Sequence, residues 1–488
     1  MSIRFRMAAA RTTFTCAAAL ACVVVLSGTA PLRAQTKLTP TQQLAHDVYK
    51  ELVEINTSVW TGNTTPAAQA MAKRFRDAGF PAKDIFVGGP TPKKHNVVLR
   101  YRGKGGTAAP KPVLLLAHLD VVEALKADWS NDLDPFKFTE RDGFYYGRGT
   151  ADDKAMASLF VAAVIRLKKE GYVPQRDIIV ALTTDEEGGA YNGVDWLIKN
   201  HKDLVDAAWV INEGGGGSLR DGKPLLQSMQ AAEKVYNDFT LRVTNAGGHS
   251  SVPRADNAIY QLSEGLVKLS RFTFPVELNP VSRAFFEQTA KVEKPEMAAA
   301  MTAIAKNPAD AEAAATISKD PRYASMLRTT CVATMLKGGH AANALPQLAE
   351  ANVNCRMAPT STKASVQATL QSVVGDPKIV AVLDTSTENR ASPPSELRPE
   401  VFDAVQKLTK EMFGDIPVVP TMSTGATDSR YFRAQGVPAF GVSGLFSDPT
   451  VDARAHGRDE RVLIEWYYKA QEFVYQRTRM LSSSVPVP

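Results

Sequence analysis

The sequence predicts an α/β fold in which a mixed, largely parallel sheet is flanked by helices and interrupted by a smaller α+β unit. Three observations lead to this prediction. Apolar strands alternate with helices up to about residue 235, and strands without polar alternation are typical of a sheet buried on both faces. Near residue 236 the strands begin to alternate polar and apolar side chains, as antiparallel strands do. After residue 393 the first pattern returns.

We therefore expect four segments along the 488 residues, of which 44% are hydrophobic and can form more than one core. They are a leader over residues 1–34, a first part of the large domain over 35–235, an inserted domain over 236–393 and a second part of the large domain over 394–488. An Ala-rich stretch of the inserted domain, about residues 281–327, is predicted to be helical and has no assigned role.

The N-terminus has the composition of a secretory signal. Arg4, Arg6 and Arg11 precede an apolar stretch over residues 17–26, and small residues follow up to Ala34. The apolar stretch is shorter than the roughly 20 residues that a membrane span needs. We expect cleavage after Ala34, export and a periplasmic location, with a retained anchor as the alternative.

Cleavage would change the charge and the cysteine content of the chain. It removes four arginines and no acid, which leaves 53 basic against 51 acidic residues. Because no basic stripe with interleaved aromatic residues remains, we expect no nucleic-acid partner and no stable membrane association. The mature chain keeps Cys331 and Cys355, which an oxidising compartment could join. Two separate buried thiols are the alternative.

The elements of the large domain follow from local patterns. Thr39 can cap a first helix with Pro40 in its first turn, and Leu44, Val48 and Leu52 recur at helical spacing. The predicted strands that follow are "HNVVLRYRG", "PVLLLAHLD", "RDIIVALTT" and "AAWVINEGG", and the predicted helices are "ADDKAMASLFVAAVIRLKKEG" and "GVDWLIKNH". The second part contributes a helix, the strand "PAFGVSG" and a long terminal helix.

The inserted domain has its own pattern. The stretches "YNDFTLRVTNAGG", "TTCVATMLKGG", "QLAEANVNCRM" and "KIVAVLD" are predicted strands, and "DNAIYQLSEGLVKLSRF" and "TKASVQATLQSVVG" are predicted helices. We expect an antiparallel sheet with helices on one face.

Residues of the types that bind metals stand at the ends of predicted strands. His118 and Asp120 end one strand, and their spacing of two puts both side chains on one face. The imidazole can then bind a metal while the carboxylate orients its other nitrogen. Asp152 and Asp153 follow at a Gly-rich turn before a helix, where either could instead cap that helix.

Further candidates stand later in the chain. In "TTDEEGG" the adjacent Glu186 and Glu187 point in different directions, so one can bind a metal while the other reaches the attacking water. Glu213 ends a strand before four glycines, and His456 precedes the terminal helix. Each of these residues alone is more often structural. Their ordered placement at strand ends, where α/β sheets locate their sites, favours a common site.

The number of candidate ligands distinguishes one ion from two. Two histidines and three carboxylates exceed the four ligands of a tetrahedral zinc. They suit two ions about 3.5–4 Å apart that share a bridging carboxylate. The spare member of the Glu186–Glu187 pair can then act as the general base.

The motifs "HLD", "GRGTADDK", "DEEG", a later acid, "GGHSS" and "HGRDE" resemble, in kind and order, those of a known superfamily. These are the co-catalytic di-zinc metallopeptidases that include glutamate carboxypeptidase, aminoacylase-1, acetylornithine deacetylase and succinyl-diaminopimelate desuccinylase. The resemblance covers the mature chain apart from the Ala-rich stretch. It implies a zinc-peptidase-like catalytic domain with an inserted lid or dimerisation domain. It also implies two Zn²⁺ ions, for which Co²⁺ or Mn²⁺ could substitute.

The resemblance implies a role for each candidate ligand. His118, Asp152 and Glu213 would surround one zinc, and Asp152, Glu187 and His456 the other, with Asp152 as the bridge.

It also implies Glu186 as the general base and Asp120 as the partner of His118. In the superfamily the bridging aspartate is often followed by a cis peptide, here Asp152–Asp153. Asp153 departs from the superfamily, which often has methionine at that position.

The inserted domain would complete the site. By resemblance, His249 reaches the active site of a partner subunit and stabilises the oxyanion, which implies a homodimer formed through the inserted domain. Asn343 and Arg356 would hold the substrate, since an arginine can clamp a carboxylate with two hydrogen bonds.

These observations predict a secreted di-zinc hydrolase that cleaves an amide or peptide bond next to a free carboxylate. A carboxypeptidase or dipeptidase is the first hypothesis, and an N-acyl-amino-acid deacylase using the same site is the second. A non-catalytic binding protein on the same fold is a remote alternative. The corresponding partner is a small peptide or an N-acyl amino acid.

Overall fold

A computed structural model describes residues 37–106, 109–385, 392–448, 450–452 and 454–483. The predicted signal over residues 1–34 lies outside this range. In the part of the chain that the structure describes, no helix is both long and apolar enough to cross a membrane.

Most of the strands belong to one large sheet and one smaller sheet. In chain order the strands are β1 (Ile85–Thr91), β2 (Lys94–Tyr101), β3 (Val113–His118), β4 (Thr139–Arg141), β5 (Phe144–Tyr146), β6 (Ile178–Thr183), β7 (Trp209–Asn212), β8 (Gly217–Arg220), β9 (Lys223–Glu233), β10 (Val235–Thr244), β11 (Gly248–His249), β12 (Thr330–Gly338), β13 (Ala344–Leu345), β14 (Leu348–Met357), β15 (Ile379–Leu383), β16 (Val418–Ser423), β17 (Ala439–Gly441), β18 (Phe446–Ser447) and β19 (Arg461–Leu463).

Single helices or pairs of helices separate groups of strands, except in the middle of the chain, where several helices follow one another. They are α1 (Pro40–Glu54), α2 (Thr65–Asp77), α3 (Lys154–Lys169), α4 (Gly193–Asn200), α5 (Lys202–Val205), α6 (Ala258–Arg271), α7 (Pro280–Thr289), α8 (Pro295–Lys306), α9 (Ala311–Ile317), α10 (Pro321–Leu327), α11 (Lys363–Val374), α12 (Pro399–Phe413), α13 (Ser429–Arg433) and α14 (Ile464–Ser483).

The large sheet has the strand order β1-β2-β6-β3-β7-β17-β9-β8-β18, with β16 paired to β9. Its centre is parallel, because β6, β3, β7 and β17 pair in that sense. The buried strands β3 and β6 carry continuous apolar runs, and α1, α3 and α14 contribute side chains to the core that contains one face of the sheet. This arrangement confirms the predicted mixed α/β fold with helices around a largely parallel sheet.

The parallel centre has a consequence for the location of any site. Strand β3 ends at His118, β6 ends at Thr183 and β7 ends at Asn212. Because parallel strands end at the same edge, the residues that immediately follow β6 and β7 lie near the end of β3.

The smaller sheet is antiparallel, with the order β12-β14-β10-β15. Alternate residues such as Phe239 and Val353 form a separate core with α6 and α11, and the opposite face carries no helix of that core. Cys331 on β12 lies directly opposite Cys355 on β14, and the two form a disulfide. The structure thus selects the disulfide from the two alternatives that the sequence left open.

The Ala-rich stretch is helical, as predicted, but it does not pack as part of the smaller unit. It comprises α7 to α10, and buried side chains such as Val281, Phe286 and Met301 join the core of the large sheet. Helix α7 lies against β16, where Asn279 at its N-cap contacts Met422. Within the segment predicted as the inserted domain, residues 281–327 thus bury their apolar faces on the large sheet.

Candidate active site

Two groups of potential metal ligands meet at the carboxyl edge of the large sheet. The first contains His118, Asp152 and Glu213, and the second contains Asp152, Glu187 and His456. Within each group the ligand atoms lie within 4.8 Å of one another. Asp152 belongs to both groups, as the bridging role requires.

The carboxylate of Asp152 faces both histidines. Its Oδ1 lies 3.0 Å from Nε2 of His118, and its Oδ2 lies 3.2 Å from Nε2 of His456. The peptide bond from Asp152 to Asp153 is cis. Asp153 precedes α3, but its side chain makes no capping hydrogen bond to that helix. Asp153 therefore does not act as a simple helix cap.

Glu460 fixes the turn that carries Asp152, a role that the sequence motifs did not reveal. Its Oε1 accepts the backbone N–H groups of Ala151 and Asp152 at 2.7 and 3.1 Å. Its Oε2 lies 2.6 Å from Nη1 of the buried Arg148. The last position of "HGRDE" was the available signal, because it places this acid four residues after His456.

Asp120 supports the site differently from the expectation. The Nδ1–H of His118 donates to the backbone carbonyl of Asp120 at 2.9 Å, whereas the nearer carboxylate oxygen of Asp120 is 3.9 Å away. Because β3 ends at His118, the chain turns and the strand alternation that would have aligned the two side chains stops there. The Asp120 carboxylate instead accepts the backbone N–H groups of Glu186 and Glu187 at 3.2 and 3.0 Å.

The two glutamates that follow β6 occupy different positions, as their adjacency predicted. The Oε1 of Glu187 lies 2.9 Å from Nε2 of His456, within the second ligand group. Glu186 is in neither ligand group. Burial and the neighbouring Glu213 carboxylate raise the pKa of Glu186 well above its ordinary value.

Asp185 anchors the loop that carries these glutamates. Its carboxylate lies 2.6 Å from the Nζ of Lys94, and both side chains are largely buried. The same Nζ donates to the carbonyl of Val59. Asp185 has a φ of 55°, which places this turn in the left-handed region.

Asp428 also supports this loop. It accepts hydrogen bonds from Asn192 at 2.7 Å and from Thr183 at 3.2 Å. Burial raises its pKa. Its position connects the loop after β16 to the end of β6.

The electrostatics of the site favour a bound cation. Burial and the Asp152 carboxylate raise the pKa of Glu213 to about 7. Burial also disfavours the Asp152 carboxylate, but hydrogen bonds from both histidines outweigh it and keep the pKa of Asp152 below its ordinary value. Several carboxylates thus converge on two imidazoles, and a donor set of nitrogen and carboxylate oxygen suits divalent transition metals.

Comparison with known proteins agrees with this geometry. The model of peptidase family M20/M25/M40 matches residues 114–478, which span every ligand of both groups. The chain belongs to this family. It is therefore a hydrolase of the M20 metallopeptidase type, and the hypothesis of a non-catalytic binding protein finds no support.

The names of individual relatives describe two kinds of activity. The chain is 26% identical over 395 residues to the human N-fatty-acyl-amino acid synthase/hydrolase PM20D1, with 78% of this chain and 77% of that protein covered. It is 29% identical over 387 residues to the probable carboxypeptidase S-like 2 of Dictyostelium discoideum, with 78% and 73% covered. A solved structure, the M20 metallo-carboxypeptidase Sso-CP2 from Sulfolobus solfataricus, has a TM-score of 0.65 at 18% identity and covers 90% of this chain and 99% of that one.

In this M20 family member, the structure does not bring every predicted site residue to the ligand groups. His249 and Asn343 lie together on β11 and the turn before β13, where Ser250 N–H donates to the carbonyl of Asn343. Both side chains are exposed, and the Nδ1 of His249 accepts from its neighbour Ser251. Arg356 lies on β14 and donates to the carbonyl of Thr424 at 3.3 Å.

A cavity of about 650 Å³ opens directly beside the ligands. Asp152 and Glu213 are part of its wall. The wall also includes eight large apolar side chains, those of Phe144, Met156, Leu219, Leu445, Phe446, Val451, Val462 and Leu463. The charged residues Asp448, Asp452, Arg454 and Arg461 belong to its polar part.

Proposed function

We propose that the protein hydrolyses the amide bond of N-acyl amino acids that carry an apolar acyl group. The observation that carries this proposal is the apolar cavity, because its wall includes the ligands Asp152 and Glu213. An acyl chain in this cavity would have its carbonyl carbon beside the ligand groups. The similarity to an N-fatty-acyl-amino acid synthase/hydrolase over 78% of the chain supports the same substrate class.

The free carboxylate of the substrate would lie on the other side of the scissile bond. Arg356 is the candidate that binds it, since a guanidinium matches a carboxylate with two parallel hydrogen bonds. The loop at Thr424, to which Arg356 donates, follows β16 of the large sheet. The acyl group and the carboxylate of the substrate would thus be recognised by different parts of the protein.

The donor set fits a pair of divalent ions, and we propose zinc, with Co²⁺ or Mn²⁺ as substitutes. His118, Asp152 and Glu213 would hold one ion and Asp152, Glu187 and His456 the other. When bound, the ions would supply Lewis acidity that lowers the pKa of water and polarises the substrate carbonyl.

The protein's own side chains would handle the proton. Glu186 would take a proton from the attacking water and return it to the leaving amine. Its raised pKa suits a group that must hold the proton between the two steps. Asp120 would fix the direction of Glu186 through the backbone of the loop.

A carboxypeptidase or dipeptidase activity is the second candidate. The same cavity could take the apolar side chain of the residue before the scissile bond. The 29% identity to a probable carboxypeptidase and the fold of Sso-CP2 support this candidate.

We further propose a homodimer formed through the smaller sheet. Its edge strand β12 exposes three large apolar side chains, Val332, Met335 and Leu336, each more than half exposed. Such an edge is suited to pair with a second strand. In a dimer of this kind His249 and Asn343 would enter the active site of the partner subunit.

Export and periplasmic location remain proposals that rest on the leader sequence.

A turnover screen of the metal-loaded protein tests the proposed function. We expect N-acyl amino acids with long aliphatic acyl groups to be cleaved with a kcat/KM at least about tenfold above that of the N-acetyl analogue, because extra methylenes are buried. Substitution Leu445→Trp should reduce turnover of the long-chain substrate and leave the N-acetyl analogue nearly unchanged. Preference for dipeptides over every N-acyl amino acid would instead establish the second candidate.

A further inference from the structure

A second cavity lies between the Ala-rich stretch and the large sheet. It has a volume of about 610 Å³. Helices α7 and α10 contribute Phe285, Tyr323 and Met326 to its wall, and β16 contributes Thr421 and Met422. The wall therefore combines side chains of the Ala-rich stretch, to which the proposed function assigns no role, with side chains of the large sheet.

Gly214 joins this second cavity to the cavity of about 650 Å³ beside the ligands, here called the acyl cavity. It lines both cavities and directly follows the ligand Glu213. Its φ is 99°, in the region that favours glycine, so the backbone that the two cavities share carries no side chain. A substrate whose carbonyl lies at the ligand groups can therefore place one group in each cavity.

The apolar part of the second cavity is largely aromatic. The rings of Phe285 and Tyr323 lie 6.0 Å apart at an interplanar angle of 55°. The hydroxyl of Tyr323 donates to Glu293 at 2.7 Å, so the polar end of this side chain is already hydrogen-bonded. The buried Met326 and Met422 add two adaptable apolar side chains. Such a wall favours a large apolar group, and an aromatic ring gains most because ring contacts add to the energy of burial.

The polar part of the wall does not select a charged group. Among the described residues that line this cavity, Arg322 alone is charged, and its guanidinium is paired with Asp320 at 2.8 Å. The hydroxyl of Ser228 donates to the carbonyl of Gly216 and accepts the N–H of the same residue. Because the charge of this wall already has its partner, a charged substrate group would lose hydration without gaining a new ion pair.

The second cavity also adjoins the residue that would bind the substrate carboxylate in the proposed function. Thr424 lines the cavity, and its carbonyl accepts from Arg356 at 3.3 Å. A carboxylate bound by Arg356 would therefore lie next to this cavity. Since the α-carbon of an amino acid carries the carboxylate, the scissile nitrogen and the side chain, the side chain is the group that can enter.

We infer that the second cavity binds the side chain of the amino-acid half of the substrate and selects large apolar side chains, above all aromatic ones. This inference rests on the proposed amide hydrolase function and deepens it by naming the class of amino acid. It assigns a role to the Ala-rich stretch, because α7 and α10 provide the specificity-determining residues Phe285, Tyr323 and Met326. The packing of that stretch on the large sheet brings these side chains into one wall with Gly214.

Kinetics with one acyl group and different amino acids test this inference. For the metal-loaded wild type we expect kcat/KM for the N-acyl-phenylalanine to exceed that for the N-acyl-alanine at least about tenfold, because the ring is buried. Ser325→Trp fills the cavity from α10 and should bring the two values to within about twofold of each other. Phe285→Ala removes a ring from the wall and should reduce the preference for phenylalanine at least about threefold.

Two further tryptophan variants provide matched controls. Leu445→Trp narrows the acyl cavity and should change the preference for acyl length but not the preference for phenylalanine over alanine. Thr302→Trp adds the same side chain at an exposed position of α8 outside the second cavity and should change neither preference. An unchanged preference for phenylalanine in Ser325→Trp would overturn the inference, and so would a wild-type preference for N-acyl-aspartate over N-acyl-phenylalanine.

Direct binding separates this inference from the proposed function. Calorimetry on the metal-loaded wild type should give an affinity for phenylalanine at least about tenfold above that for alanine, and Ser325→Trp should remove the difference. This result from a protein that cleaves no N-acyl amino acid would retain the side-chain site and refute the proposed function. Cleavage of N-acyl amino acids with equal affinities and equal kcat/KM for phenylalanine and alanine would refute the inference and retain the proposed function. If Ser325→Trp does not fold, Phe285→Ala provides the same comparison.

Discussion

The carboxylate of Asp120 accepts the backbone N–H of Glu186 at 3.2 Å and, through its second oxygen, that of the next residue. Asp120 therefore acts on the loop after β6, while its own backbone carbonyl orients His118. One residue thus positions both the candidate general base and a candidate metal ligand. Its side chain is fully buried, and burial raises its pKa to about 6.

The substitution Asp120→Asn should lower kcat by at least about tenfold, since replacing an acceptor oxygen with an amide group leaves one of the two N–H groups without a buried partner. Metal content should stay near that of wild type, because the carbonyl that orients His118 is retained. Kinetics together with elemental analysis check this expectation. A variant with normal kcat would show that the side chain does not position the loop.

Glu186→Gln should abolish most turnover while both metal ions remain bound. We expect a loss of roughly 10²–10⁴-fold in kcat, which is typical when a general acid–base group is removed. Glu187→Gln is the matched comparison, since the neighbouring residue belongs to a ligand group and should lower metal content as well. Loss of metal from Glu186→Gln, or retention of full activity, would contradict the division of roles between the two residues.

The buried pair of Lys94 and Asp185 should contribute to stability. We expect Asp185→Asn to reduce the free energy of unfolding by about 3 kcal/mol, because it leaves the buried ammonium of Lys94 without its carboxylate partner. Asparagine tolerates the left-handed backbone of this position, so backbone strain does not add to the effect. Chemical denaturation measures this loss of unfolding free energy. The double variant Lys94→Met/Asp185→Asn should recover part of the loss, and failure to do so would argue against the ion pair as the cause.

The metal-free protein should become less stable as pH rises from about 5 to 8. The raised pKa values of Asp120 and Glu213, about 6 and 7, mean that the folded state binds protons more tightly than the unfolded chain, so their stabilising protons are lost in this range. Hydrogen bonds to Asp152 and Glu187 raise the pKa of His456 to about 10. The contribution of His456 to the stability of the metal-free protein therefore also falls as pH rises. Melting temperatures of metal-free and metal-loaded protein across this range provide the test. The gap between them should widen with pH, and a constant gap would contradict the prediction.

Much of the fold could be predicted because its signals are local. Apolar runs identified β3, β6 and β7, and the residues after them were correctly placed at strand ends. The role of the Ala-rich stretch could not be predicted in this way. Its helical pattern is local, but the surface on which α7 and α8 bury their apolar faces is formed by strands from distant parts of the chain.

For the site, the sequence alone determined which residues could meet at one edge of the sheet, because parallel strands share that edge. Only the tertiary structure decided which atoms meet. The turn after β3 presents the carbonyl of Asp120 to His118 and its carboxylate to the next loop, and strand alternation cannot predict a geometry that begins where the strand ends.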